Sequence, residues 1–413
     1  MNGKVLIVGG GAMGTSVALG AAKRCDPLTE PVILLERDAL GSGSSGRMSA
    51  IIHQGYRDRM LAGMARDALK VYAGMGPNFG RSVGYKRTGV LVVAGPEGEA
   101  VHELERDVAM QSEIGIDVRM VGAAEMRRIC PGIEIDEDAV GSYEPQGGFV
   151  DPMRTIGTFA ALARSKGATT RTGVTKPEVI VEGGRAVGVA TSEGEFRAPN
   201  VVLATGAWTT KILEGLGVDL PLRVVRTEET FMEMPPVTVL DDGEDGVDDD
   251  IESRFKPDPL DLRPAAHPVI IDRPGGMSIR CEPKAGRSRA QRIGTDHLTE
   301  LERPKNLGSD VDPEVLAWMR PRVEARMPVY SGMEDVGGQT AWVTLTPDGH
   351  PIAGPIEAIP GLWIVAGFSG NDFQLAPSIG EGLAQMIVGD PVSAFAPEFF
   401  DPSRFGATPA AAR

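Results

Sequence analysis

Cysteine and histidine are scarce in this 413-residue chain, which has three cysteines and five histidines. The cysteines stand far apart at positions 25, 130 and 281, and the histidines are scattered at 53, 102, 267, 297 and 350. Neither set has the spacing of a metal or redox site, so a clustered metal centre is not expected. Three free thiols fit a reducing compartment, and we expect a cytoplasmic protein.

Positive charge is also in deficit, because 42 basic residues face 57 acidic ones and the net charge is −15. Nucleic-acid-binding proteins usually carry a basic patch, so no nucleic-acid partner is expected. No apolar run reaches the ~18 residues of a membrane-spanning helix, and no signal-peptide pattern precedes the first apolar strand. We therefore expect neither a leader nor a membrane span. The 42% of hydrophobic residues can fill the core of two domains or of one large composite domain.

Glycines dominate the turn between the first predicted strand, KVLIV, and the first predicted helix, TSVALGAAKR. Gly9, Gly11 and Gly14 form the pattern G-x-G-x-x-G. In this pattern the first glycine permits a tight turn, the second lets the backbone approach a pyrophosphate, and the third allows helix–strand packing. Glu36 ends the next apolar strand, 22 residues after Gly14, where a ribose-binding carboxylate is expected. The sequence therefore predicts a site for an adenine dinucleotide, with its phosphates at the helix N terminus.

The remaining chain mixes predicted helices and strands. Apolar residues at three- and four-residue steps predict a helix over 59–75, and Asp151 followed by Pro152 predicts the start of another. Strands are predicted for GVLVVAG, VVLATGAW, VVRTEETFMEM, PVIID and GLWIVAG. Residues 241–252, DDGEDGVDDDIE, hold eight carboxylates, which predicts a solvated surface loop. A lid over a pocket and a docking site for a basic partner are the alternatives for this segment.

Seven sequence elements occur in an order that resembles one flavoprotein superfamily. They are the glycine motif with Glu36, GSGSSGRMSAII, GYKRTGVLVVAGPE, YEPQGGFVDP, VVLATGAW, TPDGHPIAGP and GFSGNDFQLAPSIG. Together they make the chain similar to the FAD-dependent oxidoreductases of the D-amino acid oxidase, glycine oxidase and sarcosine oxidase superfamily. The resemblance spans nearly the whole chain and is nearest to amino-acid dehydrogenases and to the flavin-bearing subunits of sarcosine oxidases.

The resemblance implies an α/β fold with two domains. A Rossmann-like FAD-binding domain built from discontinuous segments is expected to carry an α+β substrate domain with a mainly antiparallel sheet. We assign residues 1–84, 150–220 and 335–400 to the FAD-binding domain, 85–149 and 221–334 to the substrate-binding domain, and 401–413 to a frayed tail. A helix beginning near Ala376 would direct its positive end at the flavin.

The resemblance also implies which residues bind FAD. They are Gly9, Gly11, Ala12, Met13, Gly14, Glu36, Arg37, Ser44, Ser45, Arg47, Ser49, Ala50, Ile51, Val174, Thr205, Gly206, Trp208, Gly370, Asn371, Asp372, Phe373 and Gln374. Relatives with a covalent flavin carry the linking cysteine seven residues before the Asp of the TPD element. That position is Ala341 here, so non-covalent FAD is expected.

The substrate-side residues depart from the pattern of these relatives. Relatives that act on small amino acids carry a basic carboxylate anchor where this chain has His53, and a lysine where it has Gln374. Three interpretations of His53 stay open: a covalent flavin link, a core histidine bonded to a backbone carbonyl, or a residue above the flavin that binds substrate or moves protons near pH 7. The departures favour a bulkier amine, or an N-methylated or cyclic amino acid, as substrate.

Three other side chains are candidates for the substrate site. Arg280 falls near the oxygen-activating lysine of some relatives, where it would suit a carboxylate; the alternative is a surface or interdomain salt-bridging arginine. Tyr56 and Tyr330 either close a pocket or pack in the core. The catalytic candidates are thus His53, Arg280, Gln374 and Tyr330. Without a clear activating lysine, we favour an electron acceptor other than oxygen.

Three functions are compatible with these features. The leading one is FAD-dependent oxidation of the C–N bond of an amine or amino acid by hydride transfer to flavin N5, giving an imine that water hydrolyses. The second is a flavin-dependent 2-hydroxy-acid dehydrogenase, because AIIH partly matches the GVIH of such relatives. The third is a flavin-bearing subunit of a larger complex. The expected partners are a small-molecule amine or amino acid, and a partner subunit or a second copy of the chain.

Overall fold

The computed structural model describes residues 2–96, 98–236, 265–301, 304 and 310–406. The acidic stretch 241–252 and residues 407–413 of the predicted tail lie outside the described residues. Strands and helices are numbered along the chain. The helices are α1 (Ala12–Ala22), α2 (Arg59–Phe79), α3 (Glu99–Glu113), α4 (Ala123–Ile129), α5 (Pro152–Ser165), α6 (Thr209–Gly215), α7 (Pro313–Arg326), α8 (Asp372–Val388) and α9 (Pro397–Phe400).

A six-stranded sheet, here called the parallel sheet, is assembled from distant parts of the chain. Its strands lie in the order β20 (Ile352–Pro355), β21 (Leu362–Ala366), β13 (Asn200–Leu203), β1 (Val5–Val8), β2 (Val32–Leu35) and β9 (Thr169–Arg171). Five of them run parallel, and β20 pairs antiparallel with β21. The short apolar runs predicted as buried strands form its centre. This arrangement agrees with the predicted discontinuous Rossmann-like domain.

A nine-stranded sheet, here called the antiparallel sheet, forms the second layer. Its order is β18 (Thr299–Glu300), β14 (Arg223–Glu233), β17 (Arg287–Arg292), β16 (Met277–Glu282), β15 (Val269–Asp272), β5 (Val90–Gly95), β7 (Val140–Glu144) and β6 (Arg119–Gly122), with β19 (Asp335–Leu345) also paired to β14. Only the β15–β5 pairing within it is parallel. The predicted boundaries assign 335–345 to the FAD-binding domain, but β19 pairs along most of β14 in the antiparallel sheet.

Two small sheets complete the described strands. One contains β10 (Glu178–Glu182), β11 (Arg185–Thr191) and β12 (Gly194–Arg197). The other contains β3 (Ile51–Ile52), β8 (Gly148–Phe149) and β4 (Lys86–Arg87). Ile51 and Phe149 of this second sheet pack with Val90, Val92 and Val269 of the antiparallel sheet. The chain segment that follows residues 41–50 is therefore attached to the second layer.

Helix α8 begins at Asp372, four residues before the predicted start near Ala376. A start at Asp372 places Pro377 inside the helix, where a proline lacks the N–H that would bond the carbonyl four residues earlier. That carbonyl belongs to Phe373, and the Tyr72 hydroxyl of α2 donates to it over 2.6 Å. A partner from a distant helix thus satisfies the oxygen that proline leaves free, and the helix extends toward the site.

The start of the predicted tail is bound to the fold. Asp401 caps the short 3₁₀ turn Pro402–Phe405 by accepting a hydrogen bond from the N–H of Ser403. The Arg404 guanidinium pairs with Asp348 over 2.9 Å. Fraying is therefore not observed over 401–406, because an ion pair and backbone contacts hold this segment.

Helix α8 packs unusually closely on α1. The Ser16 hydroxyl donates to the Ala376 carbonyl over 2.6 Å. A Cβ built on Gly20 would lie 2.5 Å from the Gly380 carbonyl oxygen, and one built on Gly380 would lie 2.2 Å from Ser16 Oγ. These glycines allow the two helices to touch through their backbones.

We expect Gly380→Ala to lower the free energy of unfolding by roughly 1–3 kcal/mol, because the added methyl group forces the two helices apart. The matched control is Gly63→Ala on α2, where a Cβ would meet nothing within 4 Å. Alanine should stabilise that helix by about 0.5–1 kcal/mol. Urea unfolding of both variants measures the effect. Equal effects of the two substitutions would contradict close packing at Gly380.

Candidate active site

A cavity of about 720 Å³, here called the large cavity, opens at the carboxyl ends of β1, β2 and β13. This edge of a parallel sheet is where nucleotides bind in doubly wound folds. Val8, Glu36 and Thr205 come from the three strand ends, and Phe368 and Asp372 come from the segment leading into α8. N- and C-terminal parts of the chain therefore build one site together.

The glycine motif shapes the wall of the large cavity. Gly9 has φ +113°, and a Cβ there would lie 2.2 Å from the Ala204 carbonyl oxygen. A Cβ on Gly14 would lie 1.8 Å from the Gly9 carbonyl oxygen. Side chains are excluded at both positions, and Gly9 to Gly11 line the cavity as bare backbone before α1 begins. Such a surface fits a pyrophosphate.

Glu36 is held at the cavity wall by two backbone donors. Its Oε2 accepts from the N–H of Gly10 over 2.6 Å, and its Oε1 accepts from the N–H of Asp38 over 2.9 Å. These bonds fix the carboxylate next to the glycine motif, where a ribose hydroxyl is expected to bind.

The small-residue loop, residues 41–50, crosses between the two layers. The Ser45 hydroxyl accepts from the N–H of Ala12, and the Ser44 hydroxyl accepts from the N–H of Trp342 in β19. Both serines line the large cavity. The loop is thus bonded to α1 on one side and to the antiparallel sheet on the other.

Two buried arginines, Arg280 and Arg289, hold this loop from the antiparallel sheet, and we call them the arginine pair. Arg280 Nε donates to the Ser49 carbonyl over 2.7 Å. Arg289 donates to the carbonyls of Met48 and Arg47 over 3.0 and 2.9 Å. Three successive carbonyls are fixed in this way.

Arg280 lines neither cavity and is 1% exposed. Its guanidinium also stacks over the Phe149 ring at 4.3 Å. Burial, helped by the neighbouring Arg289 charge, lowers the pKa of Arg280 to about 10, so the group is still a cation at neutral pH. The structure therefore places Arg280 between the layers and not at a substrate carboxylate.

The predicted FAD-binding residues divide into three groups. Those lining the large cavity are Gly9, Gly11, Met13, Glu36, Arg37, Ser44, Ser45, Val174, Thr205, Gly206, Trp208 and Asp372. Those lining a second, smaller cavity are Ile51, Gly370, Asn371 and Gln374. Those lining neither are Ala12, Gly14, Arg47, Ser49, Ala50 and Phe373. Sequence reasoning missed Met48, which lines both cavities, and Trp342, whose ring stands 5.0 Å from that of Trp208.

The small cavity, about 350 Å³, adjoins the large one and shares Met48 and Val343 with it. Its walls come from one face of the antiparallel sheet, helix α3, the segment after β3 and the turn before α8. Ser278 and Ser369 line it, and their buried hydroxyls have no hydrogen-bond partner among the described residues. Unpartnered hydroxyls in a cavity wall fit a polar ligand.

His53 lines the small cavity and stacks on Tyr56 with ring centroids 5.6 Å apart. Its Nδ1 accepts from the N–H of Gly55 over 3.2 Å, so the neutral ring carries its proton on Nε2. Burial and the charge of Arg273 lower the pKa of His53 to about 4. His53 is thus a neutral hydrogen-bond donor at pH 7. It does not titrate in the range expected for proton traffic near pH 7.

Arg273 supplies a cation to the small cavity that sequence reasoning missed. It follows β15 directly, and its side chain makes no ion pair or hydrogen bond with any described residue. Arg292 also lines the cavity, but its guanidinium stacks on Trp318 at 4.0 Å. Arg273 is therefore the cation left available for an anionic ligand group.

Glu144, at the end of β7, is a second residue that sequence reasoning missed. It is 2% exposed and lines the small cavity. Its Oε2 accepts from the backbone and side-chain N–H groups of Gln54, over 2.8 and 3.4 Å. It forms no ion pair within the described ranges, and burial raises its pKa to about 7 despite these bonds.

Tyr330 does not reach the cavities. It is fully buried, its hydroxyl donates to Ser288 Oγ over 2.6 Å, and His267 Nε2 lies 2.7 Å from the same oxygen. Its ring packs in the core behind the antiparallel sheet. The candidate role of closing a pocket is therefore not met, whereas Gln374 does line the small cavity.

No group of three or more His, Cys, Asp or Glu side chains in the described ranges is arranged to hold a metal ion. Within the same residues, every helix is too short or too polar to cross a bilayer.

The chain is similar to known proteins in sequence and in fold. Residues 4–386 match the family model described as "FAD dependent oxidoreductase". The chain is 27% identical over 398 residues to 4-methylaminobutanoate oxidase (formaldehyde-forming) of Paenarthrobacter nicotinovorans, covering 93% of this chain and 43% of that protein. It is 27% identical to monomeric sarcosine oxidase of Bacillus sp. (strain B-0618), covering 93% and 92%. L-proline dehydrogenase from P. horikoshii shares the fold, with a TM-score of 0.82 over 98% of both chains at 23% identity.

The raised pKa of Glu144 predicts a pH-dependent stability. A group whose pKa rises on folding binds its proton more tightly in the folded state, so stability is lost as pH rises from the unfolded value of 4.5 through about 7. The ionised, buried carboxylate then costs on the order of 3 kcal/mol. We expect Glu144→Gln to raise the melting temperature at pH 8.5 and to change it little at pH 5.

Differential scanning fluorimetry at both pH values measures this difference, with the exposed-residue variant Glu357→Gln as the matched control. Equal melting temperatures of Glu144→Gln and the wild type at both pH values would contradict a raised pKa of the buried Glu144 carboxyl group.

Proposed function

The chain belongs to the family of FAD-dependent oxidoreductases, and from that premise we propose that it oxidises a C–N bond in a small amine or amino acid that carries a carboxylate. The observation that carries the proposal is the small cavity, where the unpaired Arg273 cation and the unpaired Glu144 carboxylate line one space beside the FAD site. A ligand with one anionic and one cationic group complements both.

FAD supplies the hydride acceptor, N5 of its flavin ring. In our proposal the backbone at Gly9 to Gly11 would bind the pyrophosphate, Glu36 would bind the ribose, and Met48 lies where the FAD site and the substrate site meet. The turn before α8 brings Asn371 and Gln374 to the substrate side. The chain's own residues bind and orient the substrate and exclude water around the reacting carbon.

We propose that FAD is bound without a covalent link and that the protein works in a reducing cytoplasm. All three cysteines are buried and none lines either cavity, and Ala341 stands at the position of the linking cysteine. Acid precipitation should therefore leave the yellow flavin in the supernatant. Colour retained in the precipitate would contradict the proposal.

In this proposal Arg273 anchors the substrate carboxylate in place of the two basic residues that this chain replaces with His53 and Gln374. His53 cannot supply a positive charge, because its pKa is lowered to about 4. It can donate one hydrogen bond through Nε2. The proposed substrate site is therefore anchored from the antiparallel sheet and not from the segment after β3.

The test is an anaerobic panel that follows loss of flavin absorbance in the purified yellow protein. We expect bleaching by secondary or cyclic amino acids such as sarcosine and L-proline, or by 4-methylaminobutanoate, and none by the matching 2-hydroxy acids. Bleaching by hydroxy acids alone would favour the dehydrogenase of C–O bonds. Reoxidation by a dye that outpaces reoxidation by oxygen would support an acceptor other than oxygen.

In the same assay, Arg273→Met tests whether this residue binds the substrate carboxylate. Removing one charge-assisted hydrogen-bonded partner should raise the KM of a carboxylated amine by roughly 10-fold or more. The matched amine without a carboxylate should keep its KM, because it never contacts Arg273. Equal losses for both amines would contradict the anchoring role.

A further inference from the structure

Glu144 and Arg273 both line the small cavity, and their backbones adjoin β5 at different positions. Glu144 pairs with Val90 of β5, whereas the N–H of Arg273 donates to the carbonyl of Val93, three residues further along the same strand. Val90 packs with Ile51, which directly follows the small-residue loop. Along β5 the backbone of Glu144 therefore lies nearer to the segment that follows the small-residue loop, and the backbone of Arg273 lies further along.

The Glu144 carboxylate is held by hydrogen bonds to only one of its two oxygens. Both Gln54 donors bond its Oε2, while Oε1 has no hydrogen-bond partner among the described residues. Gly55 passes close to this free oxygen, since a Cβ built there would lie 3.2 Å from Oε1. The segment after β3 thus orients the carboxylate and leaves one oxygen available to a ligand.

Among the described residues, no cation forms an ion pair with this carboxylate. The titratable or charged groups around the small cavity come from the segment after β3, the segment before β4, helix α3, the end of β15, strand β17 and helix α8: His53, Tyr56, Tyr85, Asp107, Arg273, Arg292 and Asp372. The two cations in this set are Arg273 and Arg292; Arg292 stacks on Trp318, and neither forms an ion pair with Glu144. A buried carboxylate without a partner is costly, and a cationic ligand group would remove that cost.

We propose that Glu144 binds the ammonium group of the substrate and removes its proton. The inference rests on the proposed function, and it assigns a step that C–N oxidation requires. An ammonium nitrogen has no lone pair to form the C=N bond, so one N–H bond must break before the adjacent C–H bond does.

The step balances within the site. The N–H bond of the ammonium group breaks, the proton passes to Glu144 Oε1, and the electron pair stays on nitrogen. The neutral amine would then form the C=N bond as the adjacent carbon gives its hydride to the bound FAD, and Glu144 returns its proton to solvent after product release. The proposal defines the substrate class as zwitterions with an N–H bond, their carboxylate at Arg273 and their nitrogen at Glu144.

Binding is tested with two inert probes of equal shape, glycine betaine and 3,3-dimethylbutanoate. Both carry a carboxylate and a trimethylated centre, but only betaine is cationic there, and it has no N–H bond to react. Calorimetric titration of the FAD-loaded protein gives both Kd values at pH 6 and pH 8.5. We expect the wild type to prefer betaine on the order of tenfold at pH 8.5, and less at pH 6, where Glu144 is mostly protonated.

Glu144→Gln should reduce the preference to near one at both pH values, and Glu357→Gln should keep the wild-type ratio. Arg273→Met should weaken both probes equally. A tenfold preference retained in Glu144→Gln, or no wild-type preference, overturns the inference.

Proton removal is tested by anaerobic flavin reduction with the amine that the panel identifies. We expect the wild-type rate to fall below about pH 7 and Glu144→Gln to lose this acid limb, with a lower rate at all pH values. An unchanged pH profile in Glu144→Gln overturns the proton-acceptor role. If betaine preference depends on Glu144 but no amine bleaches the flavin, the binding role stands and the proposed function fails.

Discussion

The arginine pair is the contact on which the arrangement of both cavities depends. The loop over 41–50 is rich in glycine and serine, so it has few side chains with which to anchor itself. Arg280 and Arg289 reach it from the antiparallel sheet and fix three carbonyls, while Arg289 pairs with the buried Glu229 over 2.7 Å. Removing one member of such a buried set typically leaves a neighbour without its partner at a cost of several kcal/mol. The position of the loop, and hence of Met48 between the cavities, is therefore set by the other layer.

Charge in the small cavity follows a simple division. Burial and the charge of Arg273 keep His53 neutral. Arg273, and not His53, therefore supplies positive charge to the cavity. Glu144 forms no ion pair with a described residue, and the same low-dielectric surroundings raise its pKa to about 7. Arg273 and Glu144 form no ion pair with each other, and in our proposal a zwitterionic substrate would interact with both.

Local patterns allowed prediction of the features that depend on neighbours in sequence. The glycine motif, the cap at Asp151 and the buried strands of the parallel sheet are of this kind. The start of α8 was missed because the Tyr72 hydroxyl that makes Pro377 tolerable lies about 300 residues away along the chain. Arg273 and Glu144 were missed because each looks like an ordinary polar residue at a strand end. Only the register of β5 with β7 and β15 brings them to one cavity.

The order of strands in the parallel sheet also has a consequence for biosynthesis. Strand β1 is made first, but β20, β21 and α8, which complete the sheet and the large cavity, are made more than 340 residues later. Until α8 has been synthesised it cannot pack on α1, and the apolar surface of α1 that it covers stays exposed. The large cavity, which Phe368 and Asp372 help to line, is therefore complete only after this segment has been synthesised.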